Sequence, residues 1–373
     1  VFKDYLMQLR LPAAAALLAC ALGCGGREAG GSGAPVLAIP TAPTGSGPTA
    51  RMRVVGTLTD QPVSGATATG TALRSTLSDG DGRVVLEASG PGRYAVSVAA
   101  AQFVTRQSTV VIPGGDARVD LIASSFDLAA FNQMFRGVTT GGRLAKYLAA
   151  PALVVQRTGL LWANAPDDRY LAEDEQWSDA DVDAVIADLT FGLQTISAGV
   201  FPAFSAVRVE QAAAGTMVTV PQAGAIVVAR YRGLRGPSGD RIGGFGKTNI
   251  DTASVIRGGM VMLDRDSELG RPASARAVRV HELGHALGTS HVTARPSFMS
   301  PDGTGGLPND ADKEAFGVAA RRPPGSRAPD VDPADFTLNA VSADPHGSTA
   351  TTSSSSSPAP LRLAGRSGRL RAR

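Results

Sequence analysis

Three of the four histidines in this 373-residue chain fall in one eleven-residue window, His281-Glu282-Leu283-Gly284-His285-Ala286-Leu287-Gly288-Thr289-Ser290-His291. Residues four apart share a face of a helix, so His281 and His285 would present two imidazoles on one side. Two imidazoles so arranged can grip one zinc ion at roughly 2.0–2.1 Å. Glu282 is one residue along and points elsewhere, which suits it to reach a water rather than the ion. Gly288 can take the left-handed conformation of a helix stop. The chain can then turn and bring back His291 as a third ligand. Three protein ligands leave a fourth position open, the arrangement of catalytic rather than structural zinc sites. The chemistry expected is metal-assisted hydrolysis with Glu282 as general base. Any single histidine here reads equally well as a core residue with satisfied hydrogen bonds. That reading fails for the group, because it must account for three rare residues, a glutamate and a glycine together.

The helix that must carry the pair is expected from about Ser274 to Leu287. Val280, Leu283 and Leu287 recur at helical spacing and supply its core face. The whole window resembles the metzincin signature H-E-x-x-H-x-x-G-x-x-H, and Ser297-Phe298-Met299-Ser300-Pro301 fits the methionine turn of that family. The resemblance implies a zinc endopeptidase acting on protein or peptide substrates, with His281, His285 and His291 as ligands, Glu282 as the base, and Met299 and Gly288 supporting the site. It also implies an open cleft, a multi-strand sheet above the active helix and a long C-terminal helix. An edge strand drawn from about Gly243 to Ile250, or from the stretch around Val261, would pair with an extended substrate. Residues 292–304 would form the pocket wall beyond the scissile bond. Pro301 stands where the astacin branch carries a metal-binding tyrosine, and a proline there is similar to matrixins. Val292 does not match the residue that follows the third histidine in the major animal branches. No cysteine lies between the export-signal segment and the catalytic region, so no cysteine-switch latency is expected. The resemblance is therefore to a matrixin-like bacterial metzincin.

Residues 151–320 carry elements in an order that suits such a domain. Ala152–Gln156 is a strand candidate. Ser178 with Asp181 forms a capping-box pattern, opening a helix with Val182, Val185, Ile186, Leu189, Leu193 and Ile196 at helical spacing. Strands are expected at Ala206–Val209, Met217–Val220, Ile226–Ala229 and Val255–Leu263. A last helix starts at Asn309-Asp310 and carries Phe316 and Val318.

Residues 51–122 alternate apolar and polar residues in short runs, Arg53–Leu58, Arg83–Leu86, Tyr94–Val98, Thr109–Ile112 and Ala117–Leu121, with Gly-rich turns between them. The cues Gly56–Asp60, Pro62–Ala66, Ser78–Gly82 and Tyr94–Val98 resemble a carboxypeptidase regulatory-like (transthyretin-like) module, which implies a non-catalytic accessory. Asp79 and Asp81 suit a hairpin turn better than a calcium site, which needs roughly six to eight oxygens. Residues 123–150 connect the two parts, with a helix expected from Leu128 to Phe135. The expected fold class is multidomain: a small all-β sandwich followed by an α+β metzincin-like zincin domain.

The chain begins with Lys3 and Arg10 ahead of an apolar run to Cys24, the pattern of an export signal (residues 1–24). Leu17-Leu18-Ala19-Cys20 resembles a bacterial lipobox, with Cys24 a poorer candidate. Lipidation of either would attach the chain to a membrane. The expected location is the bacterial envelope, as an outer-membrane lipoprotein, or secretion. No other cysteine exists, so no disulfide framework is expected. Residues 25–50 read as a flexible spacer, and residues 321–373 as a disordered Pro/Ser/Arg-rich tail. That tail carries Arg362, Arg366, Arg369, Arg371 and Arg373, and discounting these five charges takes the net charge from +3 to −2. The body is thus not a basic nucleic-acid surface, and no nucleic-acid partner is expected. The rival function is a surface-anchored binding or adhesion lipoprotein with a latent or accessory zinc domain.

Overall fold

The computed structural model describes residues 47–339 except 138–139, 163–167, 237–238, 271 and 304. The expectations for Cys20, Cys24, the spacer as far as residue 46 and the arginines from 362 onward lie outside the described residues, while Thr49 and Ala50, expected to end the spacer at residue 50, already belong to the first strand. Among those described, no helix is long and apolar enough to cross a membrane.

The chain folds as an all-β region followed by an α+β region. The first comprises β1 (Thr49–Gly56), β2 (Thr67–Thr69), β3 (Leu73–Ser75), β4 (Arg83–Ala88), β5 (Gly92–Ala99), β6 (Arg106–Ile112) and β7 (Ala117–Leu121). One sheet has the order β3-β4-β1-β7 and the other β2-β5-β6. Alternation along the strands explains the sandwich. In β1, Met52 and Val54 are buried while Arg51 and Arg53 are exposed, the period of a half-buried strand. Val54, Leu86 and Val119 of one sheet share a core with Val98, Val110 and Ile112 of the other. The short β2 and β3 were not expected, because three residues carry too little periodicity to read. The Asp79 turn is a hairpin turn: its carboxylate accepts from the Asp81 and Arg83 backbone N–H groups at 2.9 and 2.8 Å.

A connecting helix, α1 (Leu128–Phe135), is capped by the Asp127 carboxylate. The α+β region then contains β8 (Ala152–Leu161), β9 (Arg169–Gln176), α2 (Asp179–Ile196), β10 (Val207–Glu210), β11 (Met217–Thr219), β12 (Ala225–Arg232), β13 (Gly244–Ile250), β14 (Ile256–Asp264), α3 (Arg265–Gly270), α4 (Pro272–Ala286) and α5 (Asp310–Ala320). The sheet order is β11-β9-β8-β12-β14-β13, with β10 also on β8. Strands β8, β12 and β14 are parallel, nearly all apolar and buried on both faces, as central strands must be. Strand β9 was not expected. Its Glu173, Asp174 and Glu175 look like loop composition, yet Tyr170 and Ala172 are buried, while Arg232 and Arg265 pair with Glu173 and Glu175.

Helices α2 and α4 share one face of the sheet. Val185, Leu189 and Leu193 of α2 and Val280 and Leu283 of α4 are fully buried in one core. Each side chain buried this way contributes roughly 1.5–3 kcal/mol. Beside these apolar contacts, ion pairs to α2 and α3 fix the rotation of α4. Arg279 reaches Glu268 of α3 through two nitrogens, at 3.2 and 2.5 Å, and Asp188 of α2 at 2.8 Å. Arg276 reaches Asp188 at 2.6 Å.

Residues 321–339 correct the expectation of a disordered tail starting at Arg321. They form an ordered strap across both regions. Arg322 is buried, bonding Asp330 through Nε and Nη2 at 2.7 and 2.9 Å and the Asp120 carbonyl at 3.1 Å. Arg106 of β6 bonds Asp332 at 2.9 Å. Backbone bonds join Gln107 to Asp330 and Asp332, and Leu338 to Thr109. Leu338 enters the sandwich core, with Phe336 packed against it. An apolar count misses the strap because of its buried residues only Leu338 is apolar, while Arg322, Asp330 and Asp332 are charged and buried in pairs.

Candidate metal centre

Helix α4 presents His281 and His285, and its C-terminus delivers the turn to His291. Gly288 has φ +96°. Its N–H bonds the His285 carbonyl at 2.9 Å, and the Thr289 N–H bonds the Gly284 carbonyl at 3.0 Å. This is a Schellman stop, which needs a left-handed residue where Gly288 stands. A Cβ there would also lie 2.8 Å from Ile256 and 3.0 Å from the Ala145 carbonyl.

The three histidines converge. Their ligand atoms all lie within 4.8 Å of one another, and the Nε2 atoms of His285 and His291 are 3.1 Å apart. His281 Nδ1 donates to the Phe298 carbonyl at 2.7 Å, and His285 Nδ1 to the Thr289 carbonyl at 2.8 Å. A carbonyl can only accept, so both Nδ1 atoms carry the hydrogen and both Nε2 atoms carry lone pairs. Lone pairs directed into one space fit a cation, and the group can hold a metal ion. Burial, and then the neighbouring His281, push His285 down to about 3. His281 is lowered by burial as well. Both rings are thus neutral, as ligation requires.

Glu282 is buried beside the group. Burial pushes it up to about 8, opposed by a hydrogen bond from the Gly246 backbone. The edge strand at this site is β13; Val261 lies in β14, between β12 and β13. No described strand pairs with the outer edge of β13. Two glycines let it approach α4: a Cβ on Gly244 would lie 2.6 Å from Glu282 Cγ, and one on Gly246 2.2 Å from the Glu282 carbonyl oxygen. The glycines within a strand pattern were a readable signal of close backbone approach.

Met299 and Phe298 are buried beneath the helix, with Met299 Sδ 2.6 Å from where a Gly284 Cβ would sit. Asp312 of α5 holds this turn. Its carboxylate accepts from Ser297 Oγ (2.8 Å), Arg295 Nη1 (2.9 Å), Phe298 N and Asn309 N (both 3.1 Å). It therefore anchors Phe298, whose carbonyl fixes His281. Within residues 292–304, expected as a pocket wall, the Val292 N–H bonds the Met299 carbonyl at 2.9 Å and ties the segment back on itself.

The sequence reading had not singled out Asp312 or Gln133. Asp312 was within reach through the Asn309-to-Asp312 capping box. Gln133, on α1, accepts from the Thr293 and Ala294 backbone N–H groups at 2.9 and 3.0 Å. No sequence pattern links two segments 160 residues apart.

Neither protein-family models nor curated proteins show a match to this chain.

Proposed function

We propose that this chain is a zinc-dependent endopeptidase of the metzincin type, matrixin-like, with a carboxypeptidase regulatory-like sandwich ahead of the catalytic region. The observation that carries the proposal is the convergence of three imidazoles on one space, two of them locked by backbone carbonyls into the ligating tautomer, beside a buried glutamate and a strand edge that no described strand pairs with. His281, His285 and His291 would hold the ion. Zinc bound there supplies Lewis-acid polarisation of a peptide carbonyl and acidifies water near neutral pH.

The remaining work falls to the chain's own groups. The outer edge of β13 offers backbone donors and acceptors to an extended peptide, which would bind as an added strand. Glu282 takes a proton from the attacking water on a carboxylate oxygen and delivers it to the leaving amine nitrogen. Gly244 and Gly246 keep the strand close enough for Glu282 to lie alongside the scissile bond. Substrates would be extracellular or envelope proteins and peptides, reached by export with attachment through Cys20 or Cys24.

The test uses the full chain, wild type beside Glu282→Gln, with zinc content and cleavage of a mixed peptide library as readouts. Both proteins should hold one zinc. Only the wild type should cleave, chelator-sensitively, with the variant slower by about 10²–10⁴-fold. Undiminished cleavage by the variant would sink the mechanism. Zinc in both with no cleavage in either would favour a binding lipoprotein with a latent zinc site.

A further inference from the structure

We infer that Gln133 is a positioning residue for the third metal ligand, and that α1 serves as the brace on which the His291 loop is set. The inference rests on the metal-site reading proposed above.

His281 and His285 are rigid by construction: both ride on α4, and each ring is held at Nδ1 by a backbone carbonyl. His291 differs. It lies beyond the helix stop, its side chain is exposed, and among the described residues no hydrogen bond holds its Nδ1. Its position is therefore set by the backbone on either side of it. On one side, the Ser290 N–H donates to the Met134 carbonyl of α1 at 2.7 Å. On the other, Gln133 Oε1 accepts from both Thr293 N and Ala294 N at 2.9 and 3.0 Å, and Gln133 Nε2 donates to Thr293 Oγ1 at 3.3 Å. Two consecutive residues of α1 thus bracket His291 from both flanks. Gly137, just past α1, lets the segments touch: a Cβ there would lie 2.7 Å from Ser290 Oγ.

The brace is itself anchored. Arg136, the residue that ends α1, donates to the Pro329 carbonyl at 2.9 Å and to Ser326 Oγ at 3.3 Å, and lies 3.7 Å from Asp330. Those three residues belong to the strap, which Arg322 on the Asp120 carbonyl, Arg106 on Asp332 and the β6 backbone bind to the sandwich. A continuous set of bonds thus runs from the sandwich through the strap and α1 to the third ligand. The metal's third ligand is held by the connecting segment and not by the α+β region only.

The experiment measures Zn²⁺ affinity by chelator competition, and the visible ligand-field spectrum with Co²⁺, on the full chain. Its variants are Gln133→Leu, Gln133→Asn and Gln133→Glu, with His291→Ala as reference. Leu offers no acceptor, and Asn is one methylene too short to span the gap. Glu keeps an oxygen that can accept both backbone N–H groups. We expect Leu and Asn to weaken Zn²⁺ by roughly 10–100-fold, the usual cost of losing support behind a ligand, and to shift the Co²⁺ spectrum toward that of His291→Ala. Glu should stay near wild type in both. Gln133→Leu and Gln133→Asn with wild-type affinity and spectrum, while His291→Ala is impaired, would overturn the role of Gln133 and leave the metal site standing. Wild type and His291→Ala binding zinc equally poorly would overturn the metal site itself, and this inference with it. Melting of the metal-free proteins separates the role from simple instability, because a purely structural Gln133 lowers melting without changing the Co²⁺ spectrum of the folded fraction.

Discussion

At Gly246 the strand backbone lies against α4 with no room for a side chain. A Cβ there would lie 2.2 Å from the Glu282 carbonyl oxygen and 2.5 Å from His285 Cβ. Neither atom can move without shifting His285 or Glu282. Gly246→Ala should therefore destabilise the fold by about 1–3 kcal/mol, the usual cost of overpacking, and weaken zinc binding as well. Urea unfolding together with chelator competition checks both. An alanine variant with unchanged midpoint and affinity would show that β13 can retreat freely. The same scale explains Glu282. Its neighbours α4 and β13 exclude water, so its carboxyl holds a proton more readily than an exposed glutamate would.

At the scale of elements, α5 matters to the site although none of its residues lies among the histidines. Asp312 is fully buried and collects four hydrogen bonds. Removing its carboxylate strands Arg295 and two backbone N–H groups. Asp312→Ala should cost about 3–5 kcal/mol, the range for breaking a buried charge pair. It should also loosen His281, whose partner carbonyl belongs to Phe298. Calorimetry of the metal-free chain gives the first effect and zinc affinity the second. Much at this scale was legible. The apolar spacing from Val182 to Ile196 matches α2, and the helix expected to start at Asn309-Asp310 is α5, with Asn309 as its cap. Strand β9 was not legible, because its acidic residues become strand-compatible only once Arg232 and Arg265 stand beside them.

Across the whole molecule, the strap decides whether the sandwich is a loose attachment or part of one unit. Asp330 sits between Arg322 and Arg136, all three buried. Asp330→Ala leaves these cations uncompensated and should lower stability by about 3–5 kcal/mol. Both tryptophans, Trp162 and Trp177, lie in the α+β region, so their fluorescence follows that region while far-ultraviolet circular dichroism follows both. In the wild type the two signals should unfold together. In Asp330→Ala they should separate, and coincident transitions in the variant would show that the strap does not couple the regions.

The local chemistry is legible in residues close together in the chain: a histidine pair at helical spacing, a glutamate beside it, a glycine stop, and alternating or helical apolar patterns for most of the elements. Such signals lie within a few residues, so the spacing of residue types is enough to express them. Which strand forms the sheet edge, that Asp312 and Gln133 stand behind the histidine cluster, and that residues 321–339 are ordered emerge with the packed fold. Each of these depends on partners far apart in the chain. A buried arginine or glutamine looks the same in sequence as an exposed one until the fold supplies the acid or the backbone that satisfies it.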